Sequence, residues 1–182
     1  MSRPRCSVFV GVSLDGFIAG PDGALDWLAP FEGTEHGYQA FFDAVDAVVI
    51  GRATYDVVLG FGTWPYAGKR VVVLTHRPPS ARHGEAFLAG APEAVVARLA
   101  ADGVRRAYVD GGAVVSQFLA AGLVDDLTLT FVPVLLGDGI RLFRAPLPER
   151  SFRLAGAQTY PSGLVQVRYT AAAEARPAAG RM

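Results

Sequence analysis

The stretch that decides the fold is "YVDGGAVVSQFLAAG", residues 108–122, where an apolar, strand-like run meets a helix-like run at two adjacent glycines. Glycine permits positive φ and lets another backbone or a ligand approach closely, but it costs conformational entropy relative to alanine. A glycine pair at a strand-to-helix junction therefore predicts that something lies against the turn at Gly111 and Gly112.

Strands and helices alternate on both sides of this turn. Continuous apolar runs predict strands that are covered on both faces, and apolar residues spaced by three and four predict helices. The predicted strands are residues 6–13, 46–51, 70–75, 106–112 and 125–137, then two strands around a Pro-Ser-Gly turn within 152–172; the predicted helices are residues 35–45, 52–60, 91–101 and 113–122.

This order of elements indicates βαβ units, in which parallel strands are joined by helices, with antiparallel strands added at the end. We therefore predict a three-layer α/β domain with a mixed, mostly parallel sheet and a C-terminal antiparallel hairpin. A single domain spans residues 1–172, and residues 173–182 are predicted to be a frayed tail.

Composition excludes several classes of protein. The 182 residues fit one domain, and 17 basic side chains balance 17 acidic ones, which predicts neither a nucleic-acid partner nor an anionic membrane surface. The apolar runs are much shorter than the ~20 residues that cross a bilayer. The lone Cys6 cannot form an internal disulfide or a metal site, and no stretch has the order of a signal peptide, so a cytoplasmic location is predicted.

Three predicted strands end in glycine or basic residues: residues 51–52, residues 75–77 and the glycine pair at 111–112. Ligands of open α/β sheets bind at the carboxyl ends of strands, where helix N-termini offer free N–H groups to phosphates. Together the three ends predict a cradle for a phosphorylated ligand, although each alone also fits a plain turn. The spacing matches neither G-x-G-x-x-G nor the P-loop.

Arg77 can grip a ribose 2′-phosphate in bidentate fashion, which would favour NADPH over NADH; a solvated basic turn explains it as well. Residues 14–34 form a long loop rich in glycine, proline and aspartate. Loops of this length in compact domains usually serve a function.

Four stretches together carry a family resemblance. The chain resembles the dihydrofolate reductase superfamily, and within it the stand-alone proteins similar to the C-terminal reductase domain of the riboflavin-biosynthesis enzyme RibD. The resemblance covers roughly residues 6 to 170 and rests on "VSLDGFIAGPDGALDWL" (12–28), "VVIGRATYD" (48–56), "VVLTHR" (72–77) and "YVDGGAVVSQFLAAGLVDDLTLTFVPVLLGDGIRLF" (108–143).

The resemblance implies an NADPH-dependent reductase. It also implies that the Gly111–Gly112 peptide bond is cis, a form that costs ~3 kcal/mol for a non-proline bond. The implied cofactor residues are Gly51, Arg52 and Thr54 at the phosphates, Thr75, His76 and Arg77 around the adenosine phosphate, and Gly111, Gly112, Ala113 and Val114 along the pyrophosphate and nicotinamide.

Two further groups follow from the resemblance. Asp110 takes the place of an acid that contacts substrate, although it would also serve as a helix cap. Trp27 matches an aromatic beside the cofactor, although simple packing explains it equally well. The residues that match the loop over the nicotinamide are Ser13, Leu14, Asp15, Ile18 and Ala19.

The chain departs from the family at two places. True dihydrofolate reductases carry an acid near the position of Tyr38; Glu35 and His36 lie one turn earlier and could substitute, or could simply start the helix. In "AFFDAV" (40–45) and "VLGFGTWPYAGK" (58–69) aromatics stand where the riboflavin branch has arginines. Aromatic rings stack on flat heterocycles but cannot neutralise a phosphate, so a flat, uncharged or weakly charged substrate is expected.

The resulting hypothesis is an NADPH-dependent reductase of a small pterin-, pyrimidine- or imine-like substrate. Its alternatives are a 5-amino-6-(5-phosphoribosylamino)uracil reductase and a non-catalytic nucleotide-binding protein of this fold. The proton would come from His36, Glu35, Asp15 or water, with Asp110 as a further catalytic candidate and the 14–34 loop as the lid. A homodimer through residues 125–137 and the closing hairpin is expected.

Overall fold

The computed structural model of the chain describes residues 2–172, so the predicted tail at 173–182 lies outside the described residues. Within that range the strands are β1 (Arg5–Ser13), β2 (Phe17–Ala19), β3 (Ala47–Gly51), β4 (Arg70–Leu74), β5 (Ala86–Leu88), β6 (Arg106–Asp110), β7 (Asp126–Val132), β8 (Ile140–Arg141), β9 (Phe152–Thr159) and β10 (Val165–Ala171). The helices are α1 (Tyr38–Asp43), α2 (Arg52–Val58), α3 (Pro92–Ala101) and α4 (Gly112–Ala120), with a 3-10 helix at Asp26–Phe31.

The main sheet has eight strands in the order β5-β4-β3-β6-β1-β7-β10-β9. The strands from β5 to β7 pair in parallel, and β10 pairs antiparallel with both β7 and β9. A small antiparallel sheet joins β2 to β8. The prediction of a mixed, mostly parallel sheet with a closing hairpin is therefore confirmed.

The sheet is covered on both faces, which explains why its inner strands are apolar throughout. One face of the core holds the side chains of α3 and α4, with Leu99 and Phe118 fully buried. The other face holds α1 and α2, with Tyr55 fully buried against Val48 and Ile50. Each such side chain contributes roughly 1.5–3 kcal/mol through burial, so these two layers hold the strand ends in place.

The structure differs from the predictions where the chain turns. The strand predicted over 125–137 ends at Val132, because Pro133 has no N–H to donate and Val134 N–H turns back to the carbonyl of Val132 at 2.7 Å. The 14–34 loop contains β2 and the 3-10 helix. No helix among residues 2–172 is long and apolar enough to span a membrane.

Candidate functional site

A cleft of about 1180 Å³ opens at the carboxyl ends of the parallel strands. Gly51 ends β3, Leu74 ends β4, Asp110 ends β6 and Val132 ends β7, and all four line the cleft. The position is the one that open α/β sheets use for ligands. The end of β3 and the end of β6 were both predicted to border a ligand, and the structure brings them together here.

The glycine turn forms one wall of the cleft. Gly111 has φ +89° and ψ 131°, and a Cβ there would collide with the hydroxyl of Thr54. A Cβ on Gly112 would collide with the carbonyl oxygen of Arg141 and lie 3.5 Å from Ile18. Both positions therefore require glycine, because the chain itself fills the space beside the turn.

The predicted cis bond between Gly111 and Gly112 is wrong. Among residues 2–172 the cis peptide bond is Ala145–Pro146, and the glycine bond is trans. The chain reverses through the positive φ of Gly111 instead, which glycine adopts without a cis bond.

Helix α4 begins at this turn without a side-chain cap. Its first intrahelical bond runs from Val115 N–H to the carbonyl of Gly111 at 2.9 Å, so the preceding amide groups are free of intrahelical partners. Such N–H groups, with the helix dipole, attract anions. Gly112, Ala113 and Val114 all line the cleft, so the uncapped start of α4 faces it.

The residues around this turn are called the glycine half of the cleft. Arg52 lies at the start of α2, where its Nε bonds to Asp56 at 2.8 Å and its Nη1 donates to the carbonyl of Arg77 at 2.9 Å. Arg52 thereby links α2 to the turn after β4. The glycine half consists of Ile18, Ala19, Gly51, Arg52, Thr54, Gly111, Gly112, Ala113 and Val114, all of which line the cleft.

Thr75, His76 and Arg77 follow β4 beside the cleft but do not line it. Thr75 Oγ1 accepts the N–H of Arg77 at 3.1 Å, which shapes the turn. Their predicted contact with an adenosine phosphate remains a prediction, because a bound ligand would have to extend past Leu74 to reach them.

The opposite part of the cleft is called the aromatic half. The Phe9 ring centroid lies 5.7 Å from that of His36 and 5.5 Å from that of Tyr38, and Tyr38 lies 6.3 Å from Tyr108. Tyr108 donates its hydroxyl proton to the carbonyl of Phe9 at 2.9 Å. The aromatic half consists of Phe9, His36, Tyr38, Tyr66, Tyr108 and Asp110, all of which line the cleft.

Asp110 stands where the two halves meet. Its Oδ1 accepts the N–H of Gly111 at 2.8 Å. Burial raises the pKa of Asp110, and the N–H of Gly111 together with the nearby hydroxyls of Tyr108 and Tyr66 opposes that rise without cancelling it. No side chain caps α4, so the helix-cap interpretation of Asp110 is wrong. A carboxyl with a raised pKa in a cleft can hold a proton that a carboxylate on the surface would lose.

The side chain of Asp15 links the start of the 14–34 loop to the backbone at Leu136 and Gly137. Ser13 Oγ donates to Asp15 Oδ1 at 2.6 Å, and the N–H groups of Leu136 and Gly137 donate to Asp15 at 3.2 Å and 2.7 Å. The hydrogen bond from Ser13 is the largest cause that lowers the pKa of Asp15 to about 2. Neither Ser13 nor Asp15 lines the cleft, so the role of Asp15 as proton donor stays a prediction that its position does not favour.

Of the remaining candidates, His36 lines the cleft, and Glu35 and Trp27 do not. Glu35 is exposed, accepts the N–H of Gly37 at 2.7 Å and does not line the cleft, which favours its interpretation as part of the helix start. Trp27 lies in the 3-10 helix with Nε1 buried and unpartnered, beside the cleft-lining Leu28. His36 does line the cleft.

Sequence reasoning missed part of the closing wall. Gly139 has φ +149°, and a Cβ there would collide with the carbonyl of Ala19, so β2 and β8 meet without space for a side chain. The Gly-Asp-Gly run at 137–139 was the signal that could have identified it. Tyr108 was missed because it lies in a stretch that predicted only a strand, whereas Tyr66 belongs to the 58–69 stretch whose aromatics were expected to meet the substrate. Among residues 2–172 no group of three or more His, Cys, Asp or Glu side chains could hold a metal ion.

Comparison with known proteins identifies relatives over most of the chain. A family model described as the RibD C-terminal domain matches residues 4–166. The chain is 36% identical over 169 residues to the uncharacterized protein YwjB of Bacillus subtilis (strain 168), covering 91% of this chain and 97% of that protein. It is 29% identical over 167 residues to the riboflavin biosynthesis protein RibD of Corynebacterium ammoniagenes, covering 81% of this chain and 48% of the larger protein.

Solved structures agree with this match. A candidate riboflavin biosynthesis protein from Shewanella sp. PV-4 has a TM-score of 0.86 at 33% identity, covering 93% of this chain and 99% of that one. Dihydrofolate reductase from Enterococcus faecalis, complexed with NADP(H), has a TM-score of 0.67 at 18% identity, covering 92% and 96%. The second likeness shows the shared fold.

Proposed function

The chain belongs to the RibD C-terminal domain family, and from this premise we propose that it is an NADPH-dependent reductase of a small heterocyclic or imine-like substrate. The observation that carries the proposal is the glycine turn, whose uncapped helix start lines a cleft at the ends of the parallel strands. When bound, NADPH supplies a hydride, and the acceptor atom beside the reduced carbon takes up a proton.

The glycine half fits the diphosphate of such a cofactor. Gly112, Ala113 and Val114 present main-chain N–H groups, and a side chain at either glycine would require the neighbouring chain to move. Arg52 and Thr54 add a cation and a hydroxyl to the same wall. Arg77, tied to Arg52 through its carbonyl, would distinguish NADPH from NADH by its charge.

The aromatic half fits the second substrate. Asp110 lies directly before the glycine turn and holds a proton more readily than an ordinary aspartate, so we assign it the proton donor's role or the binding of the substrate's polar edge. The tie from Asp15 to Leu136 and Gly137 holds the start of the 14–34 loop, which we propose excludes water from the cleft.

A second candidate is 5-amino-6-(5-phosphoribosylamino)uracil reductase. The likeness to RibD of Corynebacterium ammoniagenes, at 29% identity, favours it. This chain spans about half of that relative, so the activity of the whole enzyme does not transfer with the match. A nucleotide-binding protein without catalysis is the third candidate, and it would bind NADPH without oxidising it.

Calorimetric titration with NADPH and with NADH tests the proposal. We expect NADPH to bind more tightly than NADH, and Arg52→Ala, which removes the cation of the glycine half without the collision that a side chain at Gly112 would cause, to weaken binding about tenfold while the protein stays folded by circular dichroism. Arg98→Ala, which removes an exposed arginine outside the cleft, is the matched control and should keep the affinity. Absence of binding to either nucleotide would overturn the proposal, and binding without oxidation in the presence of heterocycles would favour the non-catalytic candidate.

We also propose a homodimer. A second, apolar groove of about 510 Å³ lies between α4 and the strands β7, β9 and β10. Edge strand β9 carries the exposed Leu154, and Phe143 is 44% exposed at the groove. A second copy of the chain would cover this apolar surface symmetrically. The groove is lined by Leu119, Leu127, Leu129, Phe131, Phe143, Leu147, Pro148, Arg150, Phe152 and Tyr169.

A further inference from the structure

The distribution of charge within the cleft is uneven. Three arginines line it, and the backbone of each lies beside the elements of the glycine half: Arg52 starts α2, the carbonyl of Arg141 faces Gly112, and the Arg144 N–H donates to Ser116 Oγ of α4 at 2.9 Å. Of the described residues that form the aromatic half, Asp110 is the charged one, and it is acidic. A phosphate placed there would meet no cation and would face a group that turns negative on losing its proton.

Basic residues elsewhere in the fold do not supply a cation to the aromatic half. Lys69 lies 5.1 Å from the ring centroid of Phe42, and Arg106 lies 5.3 Å from that of Phe41. Neither Lys69 nor Arg106 lines the cleft. Both cations thus lie over rings of α1 that do not line the cleft, so a ligand in the aromatic half would be bounded mainly by rings and hydroxyl groups.

His36 supplies the directional group of the aromatic half. Its Nδ1 is buried without a partner, and no hydrogen bond within residues 2–172 involves its Nε2. A proton on Nδ1 would be a buried donor without an acceptor, which costs more than an unused lone pair. The proton therefore belongs on Nε2, where the ring borders the cleft, and His36 offers a donor to a ligand.

A hydrogen bond from Gln166 of β10 fixes the backbone of His36. Gln166 Nε2 donates to the carbonyl of His36 at 2.9 Å and to Thr130 Oγ1 at 3.1 Å. Gln166 is 6% exposed, so this link from β10 lies inside the protein. The ring itself packs against Phe9, with 5.7 Å between centroids. A donor held in this way selects a ligand by geometry as well as by charge.

We propose that the aromatic half binds an unphosphorylated, planar nitrogen heterocycle, with His36 Nε2 donating to a ring nitrogen or carbonyl oxygen of that ligand. The ring of the ligand stacks among Phe9, Tyr38 and Tyr108, and its polar edge reaches Asp110. This inference rests on the proposed function, because it assigns the second substrate of the same cleft. It separates this chain from reductases whose substrate carries a ribose phosphate.

The test uses two matched pairs of probes: 6-hydroxymethylpterin with its phosphate ester, and uridine with uridine 5′-phosphate. Each is titrated calorimetrically into the full chain saturated with NADP⁺. We expect at least one neutral probe to bind, and its phosphorylated partner to bind about tenfold more weakly or less. Equal or tighter binding of a phosphorylated probe, or no binding of either neutral probe, would overturn the inference. A chain that does not bind NADP⁺ fails the proposed function first, and the inference with it.

Variants of His36 test its role separately. His36→Phe keeps a flat ring but removes the donor, so the neutral probe should bind about tenfold more weakly while the affinity for NADP⁺ is unchanged. His36→Gln keeps an N–H donor and should retain more of the affinity. His83→Phe is the matched control, because that exposed ring stacks on Trp64 at 4.3 Å outside the cleft. An unchanged affinity in His36→Phe, with the fold intact by thermal unfolding, contradicts the assignment.

Discussion

Gly111 is the residue at which the backbone leaves least choice. Its φ of +89° lies where side chains are strained, and a Cβ would collide with the hydroxyl of Thr54. We expect Gly111→Ala to lower the free energy of unfolding by about 2–3 kcal/mol, combining backbone strain and collision. Urea unfolding, followed by circular dichroism, measures the loss.

A control separates strain from collision. Gly68 also has positive φ, at +77°, but no atom lies within 4 Å of a Cβ placed there. Gly68→Ala should cost only about 1 kcal/mol. Adding Thr54→Ala to Gly111→Ala should recover part of the difference, since it removes the colliding oxygen. If all three variants lose the same stability, collision at Thr54 is not part of the cost.

Glu85 gives the fold a dependence on pH. It is 5% exposed; burial would raise its pKa, but the hydrogen bonds from the Tyr55 hydroxyl and from the backbone of Arg82, Glu85 and His83 outweigh burial and lower the pKa to about 2 from an ordinary 4.5. The stabilisation is therefore present above about pH 4.5 and is lost as the pH falls towards about 2.

The variant Glu85→Gln isolates this effect. At pH 6 it should unfold at lower urea concentration, with a deficit on the order of 2–3 kcal/mol. The deficit should shrink as both proteins are taken from pH 5 to pH 2, because Glu85 then becomes neutral in the wild type as well. A deficit that stays constant over this range would mean that shape, and not charge, holds the turn at 82–85.

At the scale of elements, the small sheet of β2 and β8 closes the cleft beside the glycine turn. Gly139 permits the contact, because a Cβ there would strike the carbonyl of Ala19. We expect Gly139→Ala to separate β2 from β8 and to weaken NADPH binding about tenfold by loosening the wall. Calorimetry measures the affinity, and thermal unfolding shows whether the domain remains intact.

Gly137→Ala serves for comparison, since Gly137 has φ +76° and open space around its Cβ position. It lies in the same loop and also has a positive φ, but without the collision. Its affinity for NADPH should fall less than that of Gly139→Ala. An equal fall in both variants would indicate that the flexibility of the loop, and not the contact with Ala19, governs the cleft.

The long elements could be read from the sequence because one period dominates each of them. The run "AVVIG" of β3 is apolar at every position before its glycine, and the three- and four-residue spacing of Phe41, Phe42 and Val45 places them in the core. By contrast, β5 and β8 have three and two residues, too few for any periodicity, and tertiary contacts alone define them.

The sequence predicted the glycine turns of the candidate site but not most of the side chains that line the rest of the cleft. The glycine pair, Gly51 and His36 were predicted from local sequence or family resemblance, and all line the cleft. Tyr108 looks like an ordinary core residue, although its place two residues before Asp110 on β6 puts both on one face of the sheet. Tyr66 is distant in sequence, and only the fold brings it beside Asp110. Asp15 has the right residue type in the right loop, but its hydrogen bonds to Leu136 and Gly137 cross a distance in sequence that no local pattern reveals.

At the scale of the whole molecule, the apolar groove predicts the assembly. Phe143→Glu would place a charge in that groove, so we expect the proposed dimer to dissociate, since a buried unpaired charge is costly. Light scattering after size exclusion should change from twice 19.2 kDa to about 19.2 kDa. Leu14→Glu, at a residue that is 58% exposed outside the groove and outside residues 125–137, should leave the assembly unchanged. A wild-type particle of 19.2 kDa contradicts the dimer outright.

The two tryptophans of the chain lie in different surroundings. Trp64 stacks on His83, whereas Trp27 belongs to the 3-10 helix of the loop beside the cleft, with its Nε1 buried and unpartnered. In a Trp64→Phe variant the emission would come from the single indole of Trp27, and reduced nicotinamide absorbs light at the wavelengths where indole emits. The chain thus contains an intrinsic optical reporter, through which movement of the loop and occupancy of the cleft could be followed in real time without any attached dye.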